Sequence, residues 1–112
     1  MTELYATADF CLIPIGTPSP SVAEEIAECQ RVLEKSGLVF KMHGYGTNLE
    51  GPWSAVSQAI HDCHAALHAK GILRIATDIR IGTRVDVAGA TVAGGLNEMK
   101  VRRVEAILAQ DA

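Results

Sequence analysis

Apolar and polar residues alternate along the first part of the chain, from Glu3 to Ile13. A period of two residues is typical of a β-strand that buries one face and exposes the other. The residues of one side are all apolar, namely Leu4, Ala6, Ala8, Phe10 and Leu12. The sequence "GTPSPS" then interrupts the alternation, so the pattern predicts a first strand with one thoroughly apolar face.

The next segment follows a helical period. Its apolar residues recur at spacings of four and three, namely Val22, Ile26, Cys29 and Leu33. Ser21 with Glu24 three residues later has the form of a capping box, and Ser19 before Pro20 is a second candidate cap. Gly37 is a plausible left-handed terminator. A first helix is therefore predicted over residues 21–36.

Two short strands and a second helix are predicted in the middle of the chain. "LVFKMHGYG" (38–46) indicates a second strand, and "TNLE" (47–50) indicates the beginning of a third after a glycine-rich turn. Pro52 suits the first turn of a helix that ends near Lys70 and Gly71. The apolar stripe of this helix is Trp53, Val56, Ile60, Cys63 and Leu67.

The last third of the chain contains a strand, an irregular segment and a helix. Residues 73–81 alternate again and predict the last strand. "VAGATVAGG" (87–95) has no convincing period, so its composition indicates a mobile or interface-packed connection. Asn97 is a candidate cap for a short terminal helix. The apolar residues of that helix are Val101, Val104, Ile107 and Leu108.

This order of elements predicts an α+β fold, the ferredoxin-like βαββαβ sandwich, with an antiparallel sheet, the two main helices on one face and a short C-terminal helix. Residues 1–112 are expected to form a single domain. The first and last strands are neighbours in this topology, and the sheet face without helices is half apolar and half charged. Because such a face needs a second layer to bury its apolar atoms, we expect a homo-oligomer.

Composition and charge exclude several classes of function. With 48% hydrophobic residues, 21% charged residues and a net charge of -3, the chain is typical of a globular protein without an electrostatic preference for nucleic acid. No apolar run approaches the roughly 20 residues that cross a bilayer, so we expect a cytoplasmic protein without a membrane partner. The three cysteines form no Cys-x-x-Cys pair and are expected to be reduced and buried.

The sequence resembles the thiamine-binding protein family over nearly its whole length. The specific part is a Gly-Thr-x-x-Glu-Gly-x-Trp signature. The matching elements are Pro14–Thr17, Ser19 and Ser21, Ser36–Leu38, Gly46–Trp53, His64, and Arg74–Thr77. This resemblance implies homodimers or homotetramers built through the sheets, and a site for thiamine or its hydroxymethylpyrimidine moiety rather than catalysis.

The residue types of the signature suit an aminopyrimidine. Glu50 can accept the hydrogens of the exocyclic amine, and the rings of Trp53 and Tyr45 can stack on a flat or cationic ring. Thr17, Ser21 and Thr47 can supply hydroxyl groups at the rim of such a binding site. The helix that begins around Ser19 and Ser21 offers free N–H groups to an anion. Structural roles explain the same residues: Trp53 as the first core residue of the second helix, Glu50 beside the N-terminus of that helix, and the serines as caps.

Two other groups of residues resemble functional sites. His61, His64 and His68 lie within one arc of the second helix and resemble a metal face, but one helix normally supplies only two ligands and no other residue is indicated. No catalytic motif is present, so no cofactor or enzymatic activity is expected. Asp9 and Asp78 form a carboxylate pair for which ion pairing with Arg74 and Arg80 across an interface is the expected use.

Overall fold

The fold is a four-stranded antiparallel sheet with two helices on one face and the beginning of a third helix on the other face. The computed structural model describes residues 3–111. The strands are β1 (Tyr5–Ile15), β2 (Val39–His43), β3 (Gly46–Pro52) and β4 (Arg74–Thr83), and the α-helices are α1 (Ala23–Ser36), α2 (Trp53–Ala69) and α3 (Leu96–Gln110). The strand order is β2-β3-β1-β4. All neighbouring strands are antiparallel, which confirms the predicted ferredoxin-like sandwich.

The core lies between the sheet and the helices α1 and α2. The apolar face of β1 is buried from Ala6 to Leu12, as the alternation predicts. Both helices direct their apolar stripes to this layer, and the residues buried there are Cys29, Leu33, Val56, Ala59, Ile60, Cys63 and Leu67. Burial of this stripe, more than intrinsic helix propensity, holds the two helices on the sheet.

Two predicted helix starts differ from the observed ones. The first residue of α1 is Ala23, and Ser21 accepts a hydrogen bond from the Ala23 N–H at 3.3 Å, so Ser21 bonds two residues ahead rather than three and forms no capping box. Pro52 belongs to β3, because its ψ of 139° is extended and it pairs with Tyr5. Gly37 has a φ of 73° and ends α1 as predicted.

The predicted cap of α3 is also wrong. Asn97 is the second residue of the helix, after Gly95 at the N-cap and Leu96, and its side chain makes no cap hydrogen bond. The preceding irregular segment contains a short 3₁₀ turn, Gly89–Thr91, whose first residue packs against the ring of Tyr5. Within residues 3–111, none of the helices combines the length and the apolar character needed to cross a bilayer.

Candidate functional site

Three of the candidate residues, Tyr45, Thr47 and Glu50, line two clefts on opposite faces of the sheet. Consecutive residues of a strand point to opposite faces, and the register places Thr47 beside Phe10 on the core face and Glu50 beside Thr7 on the other face. The first cleft, here called the turn cleft, lies between α1 and the turn that joins β2 to β3. The second, here called the α3 cleft, lies between β2, β3 and the beginning of α3.

The turn cleft has a volume of about 180 Å³. Its lining includes Phe10, Val22, Ile26, Gln30, Tyr45 and Thr47. Thr47 is only 3% exposed and accepts a hydrogen bond from the Gln30 amide nitrogen at 3.0 Å. Tyr45, 90% exposed in the turn, lies at the rim. The cleft therefore combines an apolar wall, an amide with both donor and acceptor atoms, and an aromatic ring.

The α3 cleft is larger, about 280 Å³, and contains Glu50. The Glu50 side chain is 1% exposed, and its oxygens accept three hydrogen bonds. The donors are the Tyr5 hydroxyl at 2.6 Å, the Leu96 N–H at 2.6 Å and the Asn97 N–H at 3.0 Å. Glu50 thus lies at the N-terminus of α3, where a carboxylate is favourable for the helix dipole, and not at the N-terminus of α2.

Tyr5 completes this buried arrangement. Burial raises the pKa of the Tyr5 hydroxyl, and the hydrogen bond to Glu50 and the charge of that carboxylate raise it further. The hydroxyl therefore stays protonated and donates to Glu50 throughout the ordinary pH range. The sequence did not indicate Tyr5 as a site residue. Its position on the side of the first strand opposite the apolar face was the feature that could have identified it.

Trp53 lies outside both clefts. It is the first residue of α2 and is 41% exposed, whereas Val56 on the same helix is fully buried. Its backbone N–H donates to the Leu4 carbonyl at 2.8 Å and ties the beginning of α2 to the N-terminal strand. The indole therefore neither belongs to the core nor lines the clefts that contain Thr47 and Glu50.

The three hydroxyl residues before α1 form a sequence of local turns. Thr17 donates to the Ser19 carbonyl at 3.2 Å, and the Ser21 N–H donates to the Ser19 hydroxyl oxygen at 3.2 Å. These residues are outside the lining of the turn cleft, although the next residue, Val22, belongs to it. Gln30, which the sequence did not single out, supplies the polar group that faces Thr47. Its position between Cys29 and Leu33, beside the apolar stripe, is the feature of the sequence that could have identified it.

Asp9 of the outer sheet face pairs with Arg80 and His43 within the chain. Asp9 is 2.7 Å from the His43 ring nitrogen and accepts a hydrogen bond from the Arg80 guanidinium at 3.0 Å. Burial alone raises the pKa of Asp9, but the hydrogen bonds from Arg80 and His43 and their charges outweigh it, so the pKa lies below its ordinary value. Arg80 therefore pairs with Asp9 on the neighbouring strand of the same chain rather than with a carboxylate across an interface.

The histidines of α2 have separate partners. His64 is hydrogen-bonded to the Thr77 hydroxyl of β4, the His68 ring nitrogen is 2.7 Å from the Ile72 carbonyl oxygen, and His61 is 3.0 Å from Asp62. Burial lowers the pKa of His64, and the charges of His68 and His61 lower it further. Over residues 3–111, no group of three or more His, Cys, Asp or Glu side chains is close enough to hold a metal ion.

Known proteins resemble this chain in sequence and in fold. A protein from Synechocystis, UPF0045 protein sll0230, is 47% identical over 78 residues, which are 70% of this chain and 64% of that relative. UPF0045 protein ECM15 of Eremothecium gossypii is 40% identical over 86 residues, 77% of this chain and 82% of the relative. The matched region thus spans just under two thirds of the Synechocystis protein and most of the fungal one.

Solved structures share the fold at low sequence identity. The hypothetical protein MJ1052 of Methanocaldococcus jannascii superposes with a TM-score of 0.75 at 22% identity, covering 90% of this chain and 96% of that one. TM0486 of Thermotoga maritima superposes with a TM-score of 0.68 at 17% identity, covering 89% and 98%. The description of TM0486 proposes a role in thiamine biosynthesis or salvage. The family model described as "Thiamine-binding protein" matches residues 8–105, and the chain belongs to this family.

Proposed function

We propose that this protein is a non-catalytic small-molecule binding protein, and that its ligand is thiamine or the hydroxymethylpyrimidine moiety of thiamine. Membership of the family and the description of the Thermotoga maritima neighbour support the class of ligand. The observation that carries the choice of site is the pair of Gln30 and Thr47 in the turn cleft. Thr47 is buried and Gln30 half-buried, and a polar pair of this kind beside an apolar wall can orient a flat heterocycle.

The turn cleft suits the pyrimidine ring in both size and chemistry. Its volume of about 180 Å³ accommodates one substituted six-membered ring. Ile26 and Phe10 offer apolar contacts to the ring, and the amide of Gln30 offers an acceptor and a donor to the amine and ring nitrogen of an aminopyrimidine. Tyr45 at the rim provides an aromatic face on which the cationic thiazolium can lie.

We propose further that the protein acts as a homodimer or homotetramer through the outer sheet face. Apolar side chains of that face, including Ile13 and Ile15, are exposed in the single chain. The stripe of α3 is exposed too, since Val101, Val104, Ile107 and Leu108 are 50–62% accessible. Apolar surface of this kind indicates an interaction site. A cytoplasmic location remains the expectation from the sequence.

Calorimetric titration tests the ligand. We expect saturable heat when thiamine or 4-amino-5-hydroxymethyl-2-methylpyrimidine is added to the protein, and no heat with a pyrimidine that lacks the amine. Fluorescence of Trp53 is an unsuitable readout, because the indole lies outside the turn cleft. If neither compound binds to protein whose folding is verified by circular dichroism, the proposal is wrong.

A regulatory or structural oligomer without a small-molecule ligand is the second candidate function. The exposed stripe of α3 favours it, because that stripe is explained by subunit contacts alone. A folded oligomer that binds neither thiamine compound in the calorimeter would support this second candidate.

A further inference from the structure

Two cysteines face each other where α1 packs on α2. Cys29 of α1 is 2% exposed, and Cys63 of α2 is fully buried. The Cys63 Sγ lies 3.8 Å from the Cys29 carbonyl oxygen, so this thiol is directed at Cys29. Both are free thiols, and the proposed contacts with thiamine use neither of them. Two contacting thiols on different helices have the components of a reversible disulfide.

The turn cleft gives small solutes access to Cys29. Cys29 belongs to the lining of this cleft, beside Gln30, whereas Cys63 is outside the lining. Because so little of Cys29 is exposed, a bulky reagent cannot reach its sulfur, but hydrogen peroxide is little larger than a water molecule. Access from the cleft therefore makes Cys29 the thiol that reacts first and Cys63 the thiol that resolves the product.

The contact between the two thiols assigns the same roles. The Cys63 thiol hydrogen-bonds to the Cys29 sulfur and thereby lowers the pKa of Cys29, and burial opposes this effect only in part. The same hydrogen bond, together with burial, raises the pKa of Cys63, which stays protonated. Since the thiolate is the nucleophile, Cys29 is the more readily activated thiol of the pair.

The third cysteine, Cys11, is on the other side of the sheet. It lies on β1 between Phe10 and Leu12, whose side chains are buried in the core, so the alternation directs Cys11 to the outer face. Cys11 also borders the turn cleft, but its side chain and that of Cys29 are separated by β1. Cys63 is therefore the partner that the fold provides for Cys29.

We propose that Cys29 and Cys63 form an oxidation site, at which hydrogen peroxide converts the two thiols into a disulfide between α1 and α2. The Cys29 thiolate attacks one peroxide oxygen, the O–O bond breaks, and the leaving hydroxide takes up the proton that Cys29 released. The Cys63 sulfur then displaces the hydroxyl group of the Cys29 sulfenic acid, which leaves as water with the proton of the Cys63 thiol. The two thiols lose two electrons, and the peroxide gains them.

The disulfide closes a loop between two residues that are 34 positions apart. This loop contains β2, β3 and the turn between them, which lines the turn cleft. Because a cross-link restricts the unfolded chain, we expect the oxidised protein to unfold at a higher urea concentration than the reduced one. The oxidation site does not depend on the binding of thiamine in the cleft.

Peptide mapping of the full-length Cys11→Ser protein tests this proposal. Lys and Arg are absent from residues 1–30 and 42–69, so each thiol of the pair is the single cysteine of its tryptic peptide, 1–31 or 42–70. After treatment with hydrogen peroxide, we expect the intact protein to keep the mass of one chain less two hydrogen atoms. The two peptides should then appear as one cross-linked species that dithiothreitol separates. Free thiols, oxidation without this cross-link, or a cross-link between two chains would overturn the proposal.

Substitutions in the Cys11→Ser protein separate the two roles. With Cys63→Ala the Cys29 sulfenic acid has no partner, so trapping by dimedone on peptide 1–31 should increase about tenfold. With Cys29→Ala the remaining thiol is outside the cleft, so peptide 42–70 should stay unmodified. Equal trapping with and without Cys63, or a sulfenic acid on Cys63, would contradict the assignment. The cross-link itself is measured with both native thiols present, so that test holds even if the alanine variants do not fold.

Discussion

At the scale of single residues, Thr47 and Glu50 show how the pleat of a strand directs two nearby polar side chains to different surroundings. They are three positions apart on β3, so the alternation of side chains sends them to opposite faces of the sheet. Thr47 meets Gln30 of α1, whereas Glu50 meets the beginning of α3. Both are buried polar groups, and each finds its hydrogen-bond partners on the face to which the pleat directs it.

Thr47→Val tests the turn cleft. The substitution preserves the shape of the side chain but removes the hydroxyl that accepts from Gln30 at 3.0 Å. We expect ligand affinity to fall about tenfold, which corresponds to about 1.4 kcal/mol of binding free energy. Calorimetric titration measures the loss. Thr17→Val is the matched control, because Thr17 lies outside the cleft; equal losses in both variants would refute the role of Thr47.

Gly95→Ala tests the close approach of Glu50 to the N-cap of α3. A Cβ at this position would lie 2.5 Å from a Glu50 carboxylate oxygen, and the φ of 93° is unfavourable for alanine. Gly94→Ala shares the unfavourable φ, but its Cβ would lie 3.2 Å from the flexible end of Arg102. Urea unfolding should therefore show Gly95→Ala to be less stable than Gly94→Ala by about 2 kcal/mol. Equal stability of the two variants would show that Glu50 does not confine this position.

At the scale of elements, the helices are held to the sheet by different means. Helices α1 and α2 bury continuous apolar stripes, whereas α3 depends on one buried carboxylate and one leucine. A further polar contact joins His64 of α2 to Thr77 of β4, the edge strand of the sheet. Because burial lowers the pKa of His64, this contact gives the α2–β4 packing a dependence on pH.

The sign of that dependence follows from proton linkage. The unfolded chain takes up a proton on His64 near the ordinary pKa of 6.5, and the folded chain does so only at lower pH. The unfolded state therefore binds more protons in this window, and the free energy of unfolding decreases as the pH falls below about 7. Below the lowered pKa of the folded state the decrease ends.

His64→Gln should remove the contribution of this histidine to the pH dependence of the free energy of unfolding. At pH 8 we expect the wild-type protein to exceed the variant in stability by about 1 kcal/mol, the contribution of one hydrogen bond, and the difference should shrink as the pH falls through 6.5. Urea unfolding at a series of pH values measures it. Ser57→Ala, at an exposed and uncharged position of the same helix, should retain the wild-type profile. A constant difference between wild type and His64→Gln at all pH values would contradict the prediction.

At the scale of the whole molecule, the chain is less compact than its length suggests. The radius of gyration is 15.7 Å, while about 13 Å is usual for a single domain of this size. The extents of 47, 43 and 21 Å describe a flat particle in which α1 and α2 cover one face of the sheet and α3 meets the other face only at its beginning. The outer face and the stripe of α3 provide the apolar surface that a second subunit would cover.

Charged substitutions in α3 test the proposed assembly. Val104→Glu combined with Ile107→Glu places two carboxylates in the exposed stripe, so we expect the oligomer to dissociate into monomers that keep their secondary structure. Light scattering after size-exclusion chromatography measures the mass. Ala106→Glu, on the opposite side of the same helix, should leave the assembly intact. A wild-type protein that is monomeric at micromolar concentration would exclude the oligomer.

The order of strands and helices was predictable because the periods of two and 3.6 residues are local properties of the sequence. The alternation from Ala6 to Leu12 and the stripe of α2 from Val56 to Leu67 both correspond to buried faces. Helix ends were less predictable. Ser21 bonds one residue earlier than a capping box requires, and Pro52 pairs in the sheet, because the contacts that decide these ends are made by other strands and turns.

The sequence by itself determined the ferredoxin-like architecture, the family and the inclusion of Thr47 and Glu50 among the candidate residues. Only the tertiary structure decided their partners. Glu50 is 46 residues from Leu96 and 45 from Tyr5 along the chain, and no period or motif connects residues so far apart. Similarly, Trp53 begins the apolar stripe of α2 but remains 41% exposed, because the burial of this stripe begins only at Val56. Burial and hydrogen bonding between distant segments depend on how the elements pack, which local patterns do not encode.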